Sequence, residues 1–141
     1  DRLCHMEVRE AKNGDELRRG LALLAPADFQ MRIVRSGSRY TVSCQPGEKV
    51  SGHRPSVDAL FFSMAEQVKC KMAGIIMTGM GRDGADGLLK MRQAGAYTIG
   101  QDKESCVVYG MPMAAYNIGA VQIQGSCEDI AGILLRQLQK W

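Results

Sequence analysis

The sequence predicts an α/β domain: a three-layer α/β/α arrangement on a mostly parallel sheet, with a β-hairpin appended near the N-terminus. Three observations carry this. Short apolar runs alternate with amphipathic stretches over residues 73–139, the strand–helix–strand order of right-handed βαβ units with helices on both sheet faces. Two β-prone runs flank the polar stretch Arg35-Ser36-Gly37-Ser38-Arg39, as in a hairpin. A length of 141 residues, without repeats or a linker-like stretch, suits one domain.

Residues 6–10 alternate weakly, as a short strand does, and Lys12 to Asp15 carries an Asn-Gly turn signal. Leu21 to Ala25 is an apolar run stopped by Pro26 and is expected to be a buried strand. Met31 to Val34 and Tyr40 to Cys44 make the hairpin, ended by Gln45-Pro46-Gly47, so the segment before residue 50 is expected to be more antiparallel than the rest. Pro55 to Cys70 is expected to be a helix. Proline suits a first turn, where its missing N–H is no loss, and Val57, Leu60, Phe61, Met64, Ala65 and Val68 recur on one face. Core packing accounts for that stripe.

Ala73 to Thr78 reads as a buried strand, 83–94 as a helix closed by Gly95, and Ala96 to Gly100 as a second strand. Val107 to Tyr109 reads as a third short extended piece. A helix opens at Gly110-Met111-Pro112 and runs through Ile118, and Ala120 to Gln124 is another strand. Ser126 is placed to cap a final helix over 127–139 with the apolar stripe Ile130, Ile133, Leu134 and Leu138.

Composition narrows the function classes. Hydrophobic residues at 45% and charged residues at 23% are ordinary for a globular chain and exclude long-range disorder. The net charge of +3 is too small for a nucleic-acid footprint, and the densest basic cluster, Arg32, Arg35 and Arg39, only flanks a turn. Aromatic residues at 6% leave few platforms for stacking bases. No apolar run approaches the ~20 residues of a membrane span, so no membrane insertion is expected. The first residues, DRLCHMEVREAKNGDE, are charged and lack an apolar signal core, which points to the cytoplasm. Cysteines 4, 44, 70, 106 and 127 are then expected to be reduced. Their odd number and the lack of any C-x-x-C spacing argue against a zinc or redox framework and favour small buried hydrophobes. The opening in mid-flow, without an initiator Met, is expected of a fragment of a longer protein.

The stretch most informative for chemistry is Thr78-Gly79-Met80-Gly81-Arg82-Asp83-Gly84, which follows a strand and opens a helix. Sites in open α/β sheets lie at the carboxyl ends of strands. Gly79, Gly81 and Gly84 match G-x-G-x-x-G, and Asp102 lies about 20 residues on, as a dinucleotide fingerprint asks. Against that reading stands Asp83, a carboxylate in the turn where a pyrophosphate would sit. The same turn suits a resident carboxylate that orients a histidine and stabilises its imidazolium form. From spacing alone, Asp83 as a helix N-cap ranks above Asp83 as a catalytic group, and dinucleotide binding ranks below both.

The runs GHRPSVDALFFSMA (52–65), IIMTGMGRDGADGLLKMRQAGAYTIGQDKESCVVYGMPMAA (75–115) and NIGAV (117–121), with EAKNGDELRRGLALLAP (10–26), resemble the catalytic domain of chemotaxis protein-glutamate methylesterases. The resemblance keeps order and spacing over most of the chain. It implies hydrolysis of methylated glutamate side chains, and in some members deamidation of glutamine, on cytoplasmic helices of chemoreceptors, with no metal or organic cofactor. It maps the acid of a Ser-His-Asp triad onto Asp83 and a backbone oxyanion contact onto Met80. It also implies a receiver domain in the parent polypeptide.

In that family the triad serine and histidine lie before the EAKNGDE-like segment. Residues 1–141 are therefore expected to be one partial catalytic domain, inactive alone, lacking the family's first strands. No G-x-S-x-G elbow is present, and His5 and His53 do not match the triad histidine. Ser56 reads as a first-turn residue, Ser105 has no evident activator, and Gln30 stands where relatives often carry histidine. An open sheet edge beside residues 73–77 is expected to promote self-association. The alternative to an esterase is a non-catalytic methylesterase-like interaction module in chemotaxis signalling.

Overall fold

A computed structural model describes residues 4–141. Strands β1 (Glu7–Glu10) and β2 (Leu21–Leu24) pair in parallel, with Glu7 opposite Leu21. This departs from the more antiparallel character expected before residue 50, which the hairpin and an antiparallel bridge from Glu16 to Thr41 do show. It also corrects the buried strand expected at 21–25, since β2 is half-buried and Leu24 is exposed. The loop between β1 and β2 is closed by Asp15, whose carboxylate accepts from Lys12 N (2.7 Å) and Arg9 Nη1 (2.6 Å), and Gly14 turns at φ +88°.

The hairpin forms as predicted. Strands β3 (Gln30–Ser36) and β4 (Arg39–Gln45) are antiparallel, with Ile33 opposite Val42 and Gly37 at φ +63° in the turn. Met31, Ile33, Val42 and Cys44 form its buried face, against which Leu60, Met64 and Val68 pack. Alternation puts Arg32 and Val34 outward.

Helix α1 (Val57–Gln67) is shorter at both ends than the 55–70 expected. Ser56 is its N-cap and leaves Pro55 outside; Ser56 Oγ accepts from Ala59 N at 3.3 Å. Ser63 Oγ accepts from Ile33 N, tying the helix to β3. Then follow β5 (Ala73–Ile76), α2 (Ala85–Gln93), β6 (Tyr97–Gln101), α3 (Met111–Asn117), β7 (Ile123–Gly125) and α4 (Ile130–Lys140). Strands β5, β6 and β7 form a parallel sheet in that order, so β5 is its edge among the described residues. Helices α1, α2 and α3 pack side by side. The core between helices and sheet holds Ile76, Ala85, Leu88, Met91, Ala115 and Ala120. Burying a side chain the size of Leu88 contributes about 1.5–3 kcal/mol.

Three further expectations shift. Residues 107–109 form no strand, only a single bridge from Tyr109 to Gly79. Strand β7 begins at Ile123, because Ala120 donates its N–H to Ala115 O and so completes the end of α3. Ser126 caps a turn before α4 rather than the helix itself: its Oγ and its carbonyl both accept from Asp129 N. Of the predicted α4 stripe only Ile130 is buried, and Leu138 is exposed.

Candidate functional site

The 77–84 loop leaves β5 at its carboxyl end and is clasped by the 102–110 loop. Gly79 N donates to Val108 O (3.0 Å), and Gly79 O accepts from Gly110 N (3.1 Å) and Met111 N (2.8 Å). Thr78 Oγ1 accepts from Val108 N at 2.9 Å, and Thr78 N donates to Gln101 Oε1 at 2.8 Å. A Cβ on Gly110 would stand 2.7 Å from Gly79 O, so glycine there is a condition for the two loops to meet.

Asp83 is buried, with 5% exposure, and accepts three hydrogen bonds from the start of α1. Its Oδ1 takes Ser56 Oγ–H (2.8 Å) and Asp58 N–H (2.9 Å); its Oδ2 takes Val57 N–H (2.8 Å). Helix starts leave such N–H groups unpaired and carry partial positive charge, so a carboxylate is the natural partner. Asp83 is thus a cap, but of the neighbouring helix. Its own helix starts at Gly84, at φ +95°, with no side-chain cap. The favour is returned: Asp58, in the first turn of α1 and 2% exposed, accepts from Gly87 N in α2 through Oδ1 (2.8 Å) and from Ser51 Oγ through Oδ2 (2.6 Å).

Met80 is 81% exposed at the crest of the loop. Among the described residues, the N–H groups of Met80 and Gly81 donate to no protein acceptor. Beside them Val107 is 90% exposed, and Met77, Val108 and Met113 are also exposed, so apolar side chains rim the loop. Arg82 pairs with Asp86 one turn on.

Two of the three motif glycines are explained by packing, whereas Gly81, at φ +92°, has open space around it. A Cβ on Gly84 would meet Val57 Cγ1 at 2.8 Å, and one on Gly79 would collide with Met111 Sδ, so both serve packing. Asp102 turns into its own loop, where its Oδ1 accepts from Ser105 N (3.0 Å) and Ser105 Oγ (2.7 Å). Ser105 Oγ also accepts from Cys127 N, which occupies it structurally. Ser56, 3% exposed, donates its O–H in a hydrogen bond to Asp83 and serves as a buried cap. His5 and His53 are exposed. Of the cysteines only Cys44 is buried; Cys4, Cys70 and Cys127 are exposed, which corrects the reading of all five as core residues. Among the described residues no group of His, Cys, Asp or Glu could hold a metal ion.

Gln30 was not read as part of the site, yet it is 1% exposed and bonds to Ser56. Nothing local in the sequence signals this, because the partner is 26 residues away. Nearby, Ala25, Met31, Pro55, Phe61 and Ile75 help to line an apolar cavity of about 290 Å³.

A family model described as CheB methylesterase matches residues 1–134. The chain belongs to the CheB methylesterase family. "Protein-glutamate methylesterase/protein-glutamine glutaminase 2" of Syntrophomonas wolfei is 56% identical over 121 residues, which are 86% of this chain and 36% of that protein. The corresponding protein of Rhodospirillum rubrum is 53% identical over 136 residues, 96% of this chain and 38% of its own length. The chain therefore spans just over a third of these curated relatives. The crystal structure of the Thermotoga maritima CheB methylesterase catalytic domain superposes with a TM-score of 0.87 at 32% identity, over 92% of this chain and 68% of that one. The α/β class, the hairpin and the family expected from the motifs all hold.

Proposed function

We propose that the protein carrying this chain is a carboxylic-ester hydrolase that demethylates methylglutamate side chains on cytoplasmic helices of chemoreceptors and deamidates glutamine there. Asp83 is the acid of a Ser-His-Asp triad whose serine and histidine come from polypeptide outside residues 1–141. One observation carries this reading. In a CheB family chain, Asp83 is a fixed carboxylate in the loop that leaves the carboxyl end of β5, and among the described residues its Oδ2 accepts one hydrogen bond. A carboxylate oxygen has two lone pairs, so Oδ2 can take one further N–H. An imidazole placed there is held in one tautomer and stabilised when it becomes protonated. The serine then attacks the carbonyl, the histidine carries its proton to the leaving methanol or ammonia, and water releases the acyl group. That the N–H of Met80 meets no acceptor among the described residues supports its use as the oxyanion contact, and no cofactor enters the scheme.

The names of the relatives support the substrate pair, since both substrates are neutral derivatives of glutamate. Their greater length leaves room for a receiver domain in the same polypeptide, and the enzyme works in the cytoplasm, where the receptor helices lie. The free edge of β5 supports self-association of the 141-residue piece.

The test is methanol release from methylated receptor membranes by the parent protein and by residues 1–141 alone. The parent turns over and loses activity with Asp83→Ala, while the piece is inactive. Comparable turnover by the piece would defeat the assignment of serine and histidine. A strictly monomeric piece in light scattering would defeat the edge pairing.

A further inference from the structure

We infer that Gln30 and Ser56 are positioning residues for Asp83: together they fill one carboxylate oxygen and leave the other to face the histidine. The inference rests on Asp83 being the triad acid.

Gln30 is the first residue of β3, and burying its amide is costly unless its polar atoms are paired. They are paired on one segment. Nε2 donates to Glu48 O (3.0 Å) and His53 O (2.9 Å), and Oε1 accepts from Ser56 N (2.9 Å). The hairpin thereby grips both ends of the 48–56 loop and fixes the backbone of Ser56, which sits at φ −107° and ψ 137°. From that position Ser56 Oγ donates to Asp83 Oδ1, which also receives Asp58 N–H. Two bonds satisfy Oδ1, whereas Oδ2 holds one. Without the hydroxyl, both oxygens would hold one bond each, and either could meet an incoming N–H. Ser56 decides which oxygen is offered, and Gln30 decides where Ser56 stands.

The experiment uses the complete polypeptide and methylated receptor membranes. Rates are normalised to sites titrated with a serine-directed fluorophosphonate, so that loss of folded enzyme is not counted as loss of rate. Ser56→Ala is expected to lower kcat per titrated site about tenfold with KM unchanged, the scale of a misoriented catalytic group. Ser56→Thr, which keeps the hydroxyl, recovers it to within about twofold. Gln30→Met lowers kcat in the same direction, and the double variant loses no more than the worse single one, because the two act in series. If Ser56→Ala does not fold, Ser56→Cys, with a weaker donor, is expected to lose about two- to fivefold. An unchanged kcat in Ser56→Ala, a loss that threonine does not recover, or losses that multiply in the double variant would overturn the inference. A parent protein without esterase activity would instead overturn the triad reading beneath it.

Discussion

Asp83→Asn removes one charge and one acceptor from the carboxylate that closes the start of α1. The cost can be worked from the three bonds. The better amide orientation puts the carbonyl oxygen where Oδ1 stands and keeps Ser56 Oγ–H and Asp58 N–H. The amide nitrogen then stands where Oδ2 was, 2.8 Å from Val57 N, donor against donor. Stranding a buried donor costs about 1–3 kcal/mol. The two surviving bonds fall from charge-assisted to neutral strength, about 1 kcal/mol each. The expected loss is about 3–5 kcal/mol, part of it the charge–helix attraction. Domains are stable by only about 5–15 kcal/mol, so this is a large fraction, and Tm should fall by roughly 10–15 °C. Urea titration followed by far-UV circular dichroism measures it, with an unchanged m-value as the check on two-state behaviour. A loss below about 1 kcal/mol would show that the carboxylate does not hold α1 in place.

Gly110→Ala tests the clasp between the two loops. The φ of −103° tolerates alanine, but its Cβ would meet the backbone of Gly79 and Gly81 at 2.7–3.3 Å. We expect a loss of about 1–3 kcal/mol and faster exchange of the Met111 amide, read by hydrogen exchange. Alkylation with iodoacetamide near pH 8 should label the exposed Cys4, Cys70 and Cys127 first. Burial raises the thiol pKa of Cys44 and of Cys106, so both should lag in a mass-spectrometric time course. In acid, β1–β2 should loosen before β5–β7. Hydrogen bonding and charge from Arg18 lower the pKa of Glu7; a hydrogen bond from Arg9, then one from Lys12 N–H, lower that of Asp15. A carboxylate whose folded pKa is depressed contributes stability above its ordinary pKa and loses it as pH falls through the folded value. Protection factors of β1–β2 amides should therefore fall as pH drops below the ordinary carboxylate range, and salt, by screening the ion pairs, should flatten that pH dependence. Protection in β1 that is unchanged from neutral pH to pH 3 would refute it.

What the sequence revealed divides along physical lines. The hairpin was legible because its turn chemistry and alternation are local. The position of the 77–84 loop was legible because a strand–loop–helix transition fixes it at the carboxyl end of a strand. The role of Asp83 within the fold was only half legible: a carboxylate before a helix reads as a cap, but that this one caps α1 depends on how two helices cross. Gln30 drew notice only for standing where relatives often carry histidine; its partner could not be read, since a lone glutamine starting a strand carries no sign of Ser56. An apolar run such as Leu21–Leu24 announces a strand without naming the one it will join, and β1 proved to be a parallel neighbour. The stripe on α4 is truly amphipathic, yet periodicity cannot say whether a surface exists to cover it; Leu135 and Leu138 remain exposed.

The crossed capping, in which Asp83 before α2 binds the start of α1 and Asp58 in α1 binds the first turn of α2, has a mechanical consequence. Neither helix can slide or rotate without breaking buried bonds on both, so the pair behaves as one stiff girder.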